Sequence, residues 1–122
     1  MQKTVITIDD DSYYLDEIKE ICQESHLKAL CFEGPNEFEE KCSKEAIQSA
    51  SLILVDFDFY TSTALENDIA GYIRDSGYKG KMYLWTLHEE FDEDDRKKIA
   101  SDFDGVINKR EISGPKIQSL IS

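Results

Sequence analysis

Leu52-Ile53-Leu54-Val55-Asp56 decides the fold: four apolar residues in a row, stopped by a carboxylate. A strand with one wet face alternates polar and apolar residues, whereas a parallel strand covered on both faces reads as a continuous apolar run. Working outward, Val5-Ile6-Thr7-Ile8 leads into Asp9-Asp10-Asp11, Met82-Tyr83-Leu84-Trp85 ends at Thr86, and Val106-Ile107-Asn108 ends at Lys109. These runs are short and separated by stretches with helical spacing. Parallel sheets place ligand sites at the carboxyl ends of their strands. Carboxylates, a hydroxyl and an ammonium are therefore expected to meet at one sheet edge, a set suited to a divalent cation and a phosphoryl group.

The intervening segments predict five strand–helix rounds. The strands are Thr4–Ile8, Lys28–Phe32, Leu52–Asp56, Met82–Thr86 and Gly105–Asn108. Asp11 or Ser12 caps the first helix, which turns Tyr14, Leu15, Ile18, Ile21 and Cys22 inward and ends near Ser25. Gly34-Pro35 marks a turn, and Asn36 is the expected cap of a second helix holding Phe38, Cys42 and Ile47. A polar loop through Thr61-Ser62-Thr63 leads to a third helix with Leu65, Ile69, Tyr72 and Ile73 inward, closed by Gly77 and Gly80. The fourth helix, Glu90–Ser101, has acids first (Asp92 to Asp95) and bases after (Arg96, Lys97, Lys98), as the helix dipole favours. Pro115 opens a short last helix with Ile117, Leu120 and Ile121. The pattern predicts an α/β fold, a doubly wound five-stranded parallel sheet with helices on both faces.

A chain of 122 residues is one domain by this reading, and 40% hydrophobic content suits a packed core. The net charge of -12 argues against a nucleic-acid surface, which needs clustered Lys and Arg. Cys22, Cys31 and Cys42 are odd in number and fit no Cys-x-x-Cys spacing, so they read as reduced core thiols. That favours a reducing compartment. The chain has neither a basic-then-apolar leader nor an apolar run of membrane length, so a cytoplasmic location is expected. His26 and His88 have no metal-ligand company; His26 reads as structural or solvated, and His88, two residues past Thr86, as a candidate modulator of the site.

Taken together, these residues resemble the receiver domains of two-component response regulators. There, an acidic pair follows strand one, the phosphoacceptor Asp ends strand three, a Thr or Ser ends strand four, and a Lys ends strand five. Here those positions read Asp9-Asp10, Asp56, Thr86 and Lys109, at intervals of 46 residues from Asp10 to Asp56, 30 to Thr86 and 23 to Lys109. The segment Asp102-Phe103-Asp104-Gly105-Val106-Ile107-Asn108-Lys109 also resembles the family's Gly-Ala-Asp-Gly-Tyr-x-x-Lys. The resemblance covers residues 1–122 as a single receiver domain without an output domain. It implies the flavodoxin-like strand order 2-1-3-4-5 and no enzymatic activity beyond self-catalysed phosphotransfer and autodephosphorylation. The physical reading makes Asp10 and Asp56 direct ligands of Mg²⁺ (or Mn²⁺), with Asp9 close by or acting through water, and Asp56 the nucleophile. The resemblance adds the backbone carbonyl of Asp58 to the metal set and puts Thr86 and Lys109 on the phosphoryl oxygens. It implies a sensor histidine kinase or histidine phosphotransfer protein as phosphodonor, and a protein target read by the fourth helix, fifth strand and last helix.

Several positions depart from that pattern, among them Asp58, which adds a carboxylate two residues past the acceptor. Leu87 stands where a small residue usually follows the Thr, Val106 where an aromatic switch residue usually sits, and Arg110 where a Pro usually follows the Lys. They favour a pseudo-receiver, the same fold used as a phosphorylation-independent interaction module, while the intact acids, Thr86 and Lys109 oppose it. Asp56-Phe57-Asp58 also resembles the Asp-x-Asp of haloacid-dehalogenase-type phosphatases. Tyr60 then breaks that motif, and the chain leaves little room for the rest of such a site.

Overall fold

A computed structural model describes residues 2–57 and 68–121. Its elements are β1 (Thr4–Ile8), α1 (Ser12–Glu24), β2 (Lys28–Phe32), α2 (Pro35–Lys41), α3 (Lys44–Ser49), β3 (Leu52–Asp56), α4 (Ile69–Asp75), β4 (Lys81–Thr86), α5 (Glu93–Asp102), β5 (Gly105–Asn108), a 3₁₀ turn (Lys109–Glu111) and α6 (Gly114–Ile121). The strands form one sheet in the order β2-β1-β3-β4-β5, every pairing parallel. All five residues of β3, Asp56 included, are buried, which is why its sequence shows no alternation. The expected Leu65, the Thr61–Thr63 loop and Asp58 lie outside the described residues.

The period-two alternation of the strands sorts two cores. Ile6, Ile8, Ile53, Val55, Met82 and Leu84 face one way, covered by Phe38 of α2, Ile47 of α3, Ile69 and Ile73 of α4 and Ile99 of α5. Val5, Leu52, Leu54, Trp85 and Ile107 face the other, under Ile18 and Cys22 of α1 and Ile117 and Leu120 of α6. Asp9, Asp56 and Lys109 follow Thr7, Leu54 and Ile107 at the same period, so they emerge on the α1–α6 side of the sheet edge.

The predicted second helix is two helices. Gly34, not Asn36, is the cap of α2, with Pro35 in its first turn. Cys42 then adopts extended backbone and the Ser43 hydroxyl accepts from the Ala46 N–H, starting α3. Ser43→Ala removes that cap and is expected to lower stability by about 1 kcal/mol, checked by urea unfolding. α5 begins at Glu93, later than the predicted Glu90, because the Asp92 carboxylate accepts from the Asp95 N–H. Its last turn carries no base, so only the acidic half of the expected dipole pattern is realised.

His26 sits at positive φ (59°) just past α1, where its N–H donates to the Gln23 carbonyl and that of Leu27 to the Cys22 carbonyl. This is a Schellman ending with histidine in the position glycine usually takes, the structural role expected of His26. Gly77 (φ 95°) closes α4 as expected. Gly80, also expected there, lies past that end, just before β4. The three cysteines are free thiols, and burial pushes Cys22 and Cys31 up to about 11. Among the described residues, no helix is long and apolar enough to cross a membrane.

Candidate functional site

Three consecutive acids after β1 do three different things. The Asp9 N–H donates to the Phe32 carbonyl, pinning the end of β1 to β2, and its carboxylate is wholly buried. Asp9 Oδ1 accepts from the Asp11 N–H at 2.9 Å. Asp11 is the helix cap, its side chain accepting from the Tyr13 N–H at 3.0 Å. Asp10, between them, is exposed and faces the cleft.

Asp56 ends β3 beside Asp9, and one oxygen from each of Asp9, Asp10 and Asp56 lies within 4.8 Å of the others. Lys109 enters from the end of β5. Its Nζ donates to Asp56 Oδ2 at 2.9 Å and stands 2.6 Å from Asp9 Oδ2. The second contact is a charge contact without hydrogen-bond alignment, so Asp9 Oδ2 is buried with no aligned donor among the described residues. Two carboxylates and one ammonium in a buried site carry a net charge of −1. Burial, then the hydrogen bond shared with Asp56, raises the Asp9 carboxyl to about 7 against the pull of Lys109. Burial alone would lower Lys109, but its close contacts with the two acids and their charges outweigh it and hold the ammonium above its ordinary value.

The cleft over these groups has a volume of ≈ 300 Å³ and is lined by Asp10, Asp11, Asp56, Thr86, Leu87, His88 and Lys109. A larger groove (≈ 380 Å³) between α4 and α5 lies away from the acids. Thr86 Oγ1 accepts from the His88 N–H at 3.0 Å, tying the end of β4 to the loop that follows. Its own hydroxyl proton can be donated to an incoming oxygen without breaking that bond. The His88 ring lies 5.2 Å from the ring of Phe57, which packs on Phe91 at 5.0 Å, so His88 closes the rim. Leu87 is 39% exposed beside it.

The donor set suits a hard cation. It offers carboxylate oxygens only, one of them buried without an aligned donor, which is the chemistry Mg²⁺ and Mn²⁺ take. The structure thus brings together Asp9, Asp10, Asp56, Thr86 and Lys109, as the sequence predicts. The expected Asp58 carbonyl lies outside the described residues. The sequence reading missed the surroundings of the lysine: the Lys109 ammonium lies over the rings of Tyr14 (4.9 Å) and Trp85 (5.0 Å). The structure pairs Asp56 with Trp85 in register, which the sequence reading had no way to place.

No family model and no curated protein matches the chain. Solved structures do. A response regulator receiver domain protein from Clostridium thermocellum matches at TM-score 0.69 and 18% identity, over 98% of this chain and 90% of that one. A CheY-like receiver domain protein from Methanospirillum hungatei matches at TM-score 0.70 and 16% identity, over 98% and 90%. The Vibrio cholerae chemotaxis protein CheY4 matches at TM-score 0.72 and 15% identity, over 98% and 99%. The chain has the fold of response regulator receiver domains, flavodoxin-like with strand order 2-1-3-4-5.

Proposed function

We propose that this chain is a receiver: it accepts a phosphoryl group onto Asp56 from a phosphohistidine and signals through protein–protein contact. The observation that carries this reading is the Lys109 ammonium at 2.9 Å from Asp56 Oδ2, with the oxygens of Asp9 and Asp10 clustered beside it. Asp9, Asp10 and Asp56, with the Asp58 carbonyl, would hold Mg²⁺ (or Mn²⁺). When bound, the cation supplies positive charge between the acceptor carboxylate and the phosphoryl oxygens.

The chain's own residues do the rest. An Asp56 carboxylate oxygen forms the new bond to phosphorus as the phosphorus–nitrogen bond of the donor imidazole breaks, and that electron pair stays on the imidazole nitrogen. Lys109, already against Asp56, neutralises charge on the transferred group. Thr86 donates its hydroxyl proton to a phosphoryl oxygen while still accepting from His88, which carries the event into the loop after β4. The cognate partners on this reading are a sensor histidine kinase or a histidine phosphotransfer protein. The target surface is α5, β5 and α6, where Val106 is 41% exposed. Free thiols at Cys22, Cys31 and Cys42 support a reducing, cytoplasmic setting. The role is that of a phosphoacceptor signalling protein rather than an enzyme acting on a released substrate.

Leu87, Val106 and Arg110 favour the pseudo-receiver instead, because they alter the residues next to Thr86 and Lys109 and the strand between them, and Leu87 and Val106 are 39% and 41% exposed. The two readings separate on incubation with acetyl phosphate and millimolar Mg²⁺, followed by intact-protein mass spectrometry. A phosphoryl adduct on the wild type, with Mg²⁺ also raising the melting temperature, is expected. No adduct under conditions that label a control receiver would leave the interaction module as the reading.

A further inference from the structure

We propose that Tyr14 and Trp85 are positioning residues for Lys109, a two-ring clamp that fixes its ammonium against Asp56 before any phosphoryl group arrives. The two rings lie edge to face, 5.8 Å apart with 80° between their planes. The Lys109 Nζ stands 4.9 Å from one centroid and 5.0 Å from the other, inside the range of cation–π attraction for both. Lysine has a flexible stem and a compact charge, so two carboxylates alone leave it several ways to sit. The rings remove that freedom by offering the buried ammonium a second pair of electron-rich partners.

The composition of the clamp supports this. Trp85 is fully buried, and its Nε1 has no acceptor among the described residues. Leucine or isoleucine would fill a buried strand position without leaving an N–H unpaired, so the indole serves through its face rather than its nitrogen. Trp85 also pairs in register with Asp56 and immediately precedes Thr86. One dipeptide therefore supplies both the ring under the ammonium and the hydroxyl at the cleft. On the other wall, Tyr14 packs edge-on at 5.1 Å against Tyr13, which is 68% exposed. The clamp stands on the α1 side of the lysine, on the face of the sheet that Lys109 shares with Ile107.

The consequence for rate rests on the receiver reading above; the consequence for the position of the ammonium does not. Phosphorylation from acetyl phosphate is expected to slow about tenfold, ~1.4 kcal/mol of barrier, in Tyr14→Leu and in Trp85→Leu. Tyr14→Phe and Trp85→Phe are expected to stay within about twofold of the wild type, since each keeps a ring face. Leu variants that phosphorylate at the wild-type rate overturn the proposal and leave the receiver reading standing. Trp85 is the chain's one tryptophan, so its emission reads the ammonium directly. Lys109→Met is expected to change that emission, and Lys109 side-chain methylene protons are expected upfield by NMR in the wild type and shifted back in the Leu variants. Unchanged emission in Lys109→Met, or Lys109 signals alike in all folded variants, overturns the clamp. Those two measurements decide it even if the wild type takes no phosphoryl group or a Leu variant fails to fold.

Discussion

Asp56→Asn yields no phosphoryl adduct and keeps the fold. The amide oxygen is a far poorer nucleophile than a carboxylate, and the proposed metal set would lose one of its charged ligands, so a fall of at least about a hundredfold, ~2.7 kcal/mol of barrier, is expected. The change is nearly isosteric, and an amide oxygen can still accept from Lys109, which now bonds Asp56 at 2.9 Å. Its effect on stability follows from counting charge. Asp9, Asp56 and Lys109 together carry −1, and removing one acid leaves a neutral Asp9–Lys109 pair. The hydrogen bond and the charge of Asp56 both raise Asp9, so Asp9 should titrate lower in the variant. Urea unfolding at pH 7.5 should therefore show no loss of stability. Mass spectrometry after acetyl phosphate reads the chemistry; a wild-type yield of adduct would move the acceptor to another residue.

The fold was legible because each strand announces its environment. Leu52 to Val55 is unbroken, and all of it is buried. The strand bounds of β1, β2, β3 and β5 match the sequence reading, since Gly, Pro or charged residues close each run. The second helix misled for a physical reason: Phe38, Cys42 and Ile47 all face one core, so apolar spacing continues across the break that Ser43 makes by capping α3. Hydrophobic periodicity registers which way side chains point, not whether the backbone between them is continuous. The late start of α5 has the same origin, because Glu90, Asp92 and Glu93 are all plausible first-turn acids and only the Asp92 hydrogen bond selects among them.

The site was legible to the extent that it lies at strand ends. Asp9, Asp56, Thr86 and Lys109 each finish or follow a recognisable run, and the parallel sheet gathers them at one edge. The division of labour among Asp9, Asp10 and Asp11 was only partly legible. Three identical residues in a row differ by which way the chain turns as α1 begins, and that is settled by the Asp11 N–H reaching back to Asp9. The clamp around Lys109 stayed hidden because Tyr14 and Trp85 read as ordinary core residues. Their role comes from a lysine arriving from the far end of the chain.

The largest stability effect belongs to that lysine. Lys109→Met keeps most of the buried stem but leaves Asp9 and Asp56 facing each other without a cation, both nearly inaccessible to water. Removing one partner of a buried charge group costs about 3–5 kcal/mol, and methionine cannot screen the acids left behind. The cost should depend on pH in a definite direction. Asp9 in the folded wild type titrates at about 7, above the ordinary 3.8. A carboxyl raised by folding contributes stability that is complete below its unfolded value and is lost as pH climbs through its folded value. In the wild type this loss runs from about pH 4 to pH 7. Without Lys109, whose side chain lowers Asp9, the loss runs further, so the deficit of the variant should be greatest near pH 8 and small near pH 4.5. Urea unfolding at both values measures it, and millimolar Mg²⁺ at pH 8 should recover part of the difference if the acids hold the cation. A deficit equal at both pH values would mean that the lysine matters for packing alone and that the two acids are not the source of the cost.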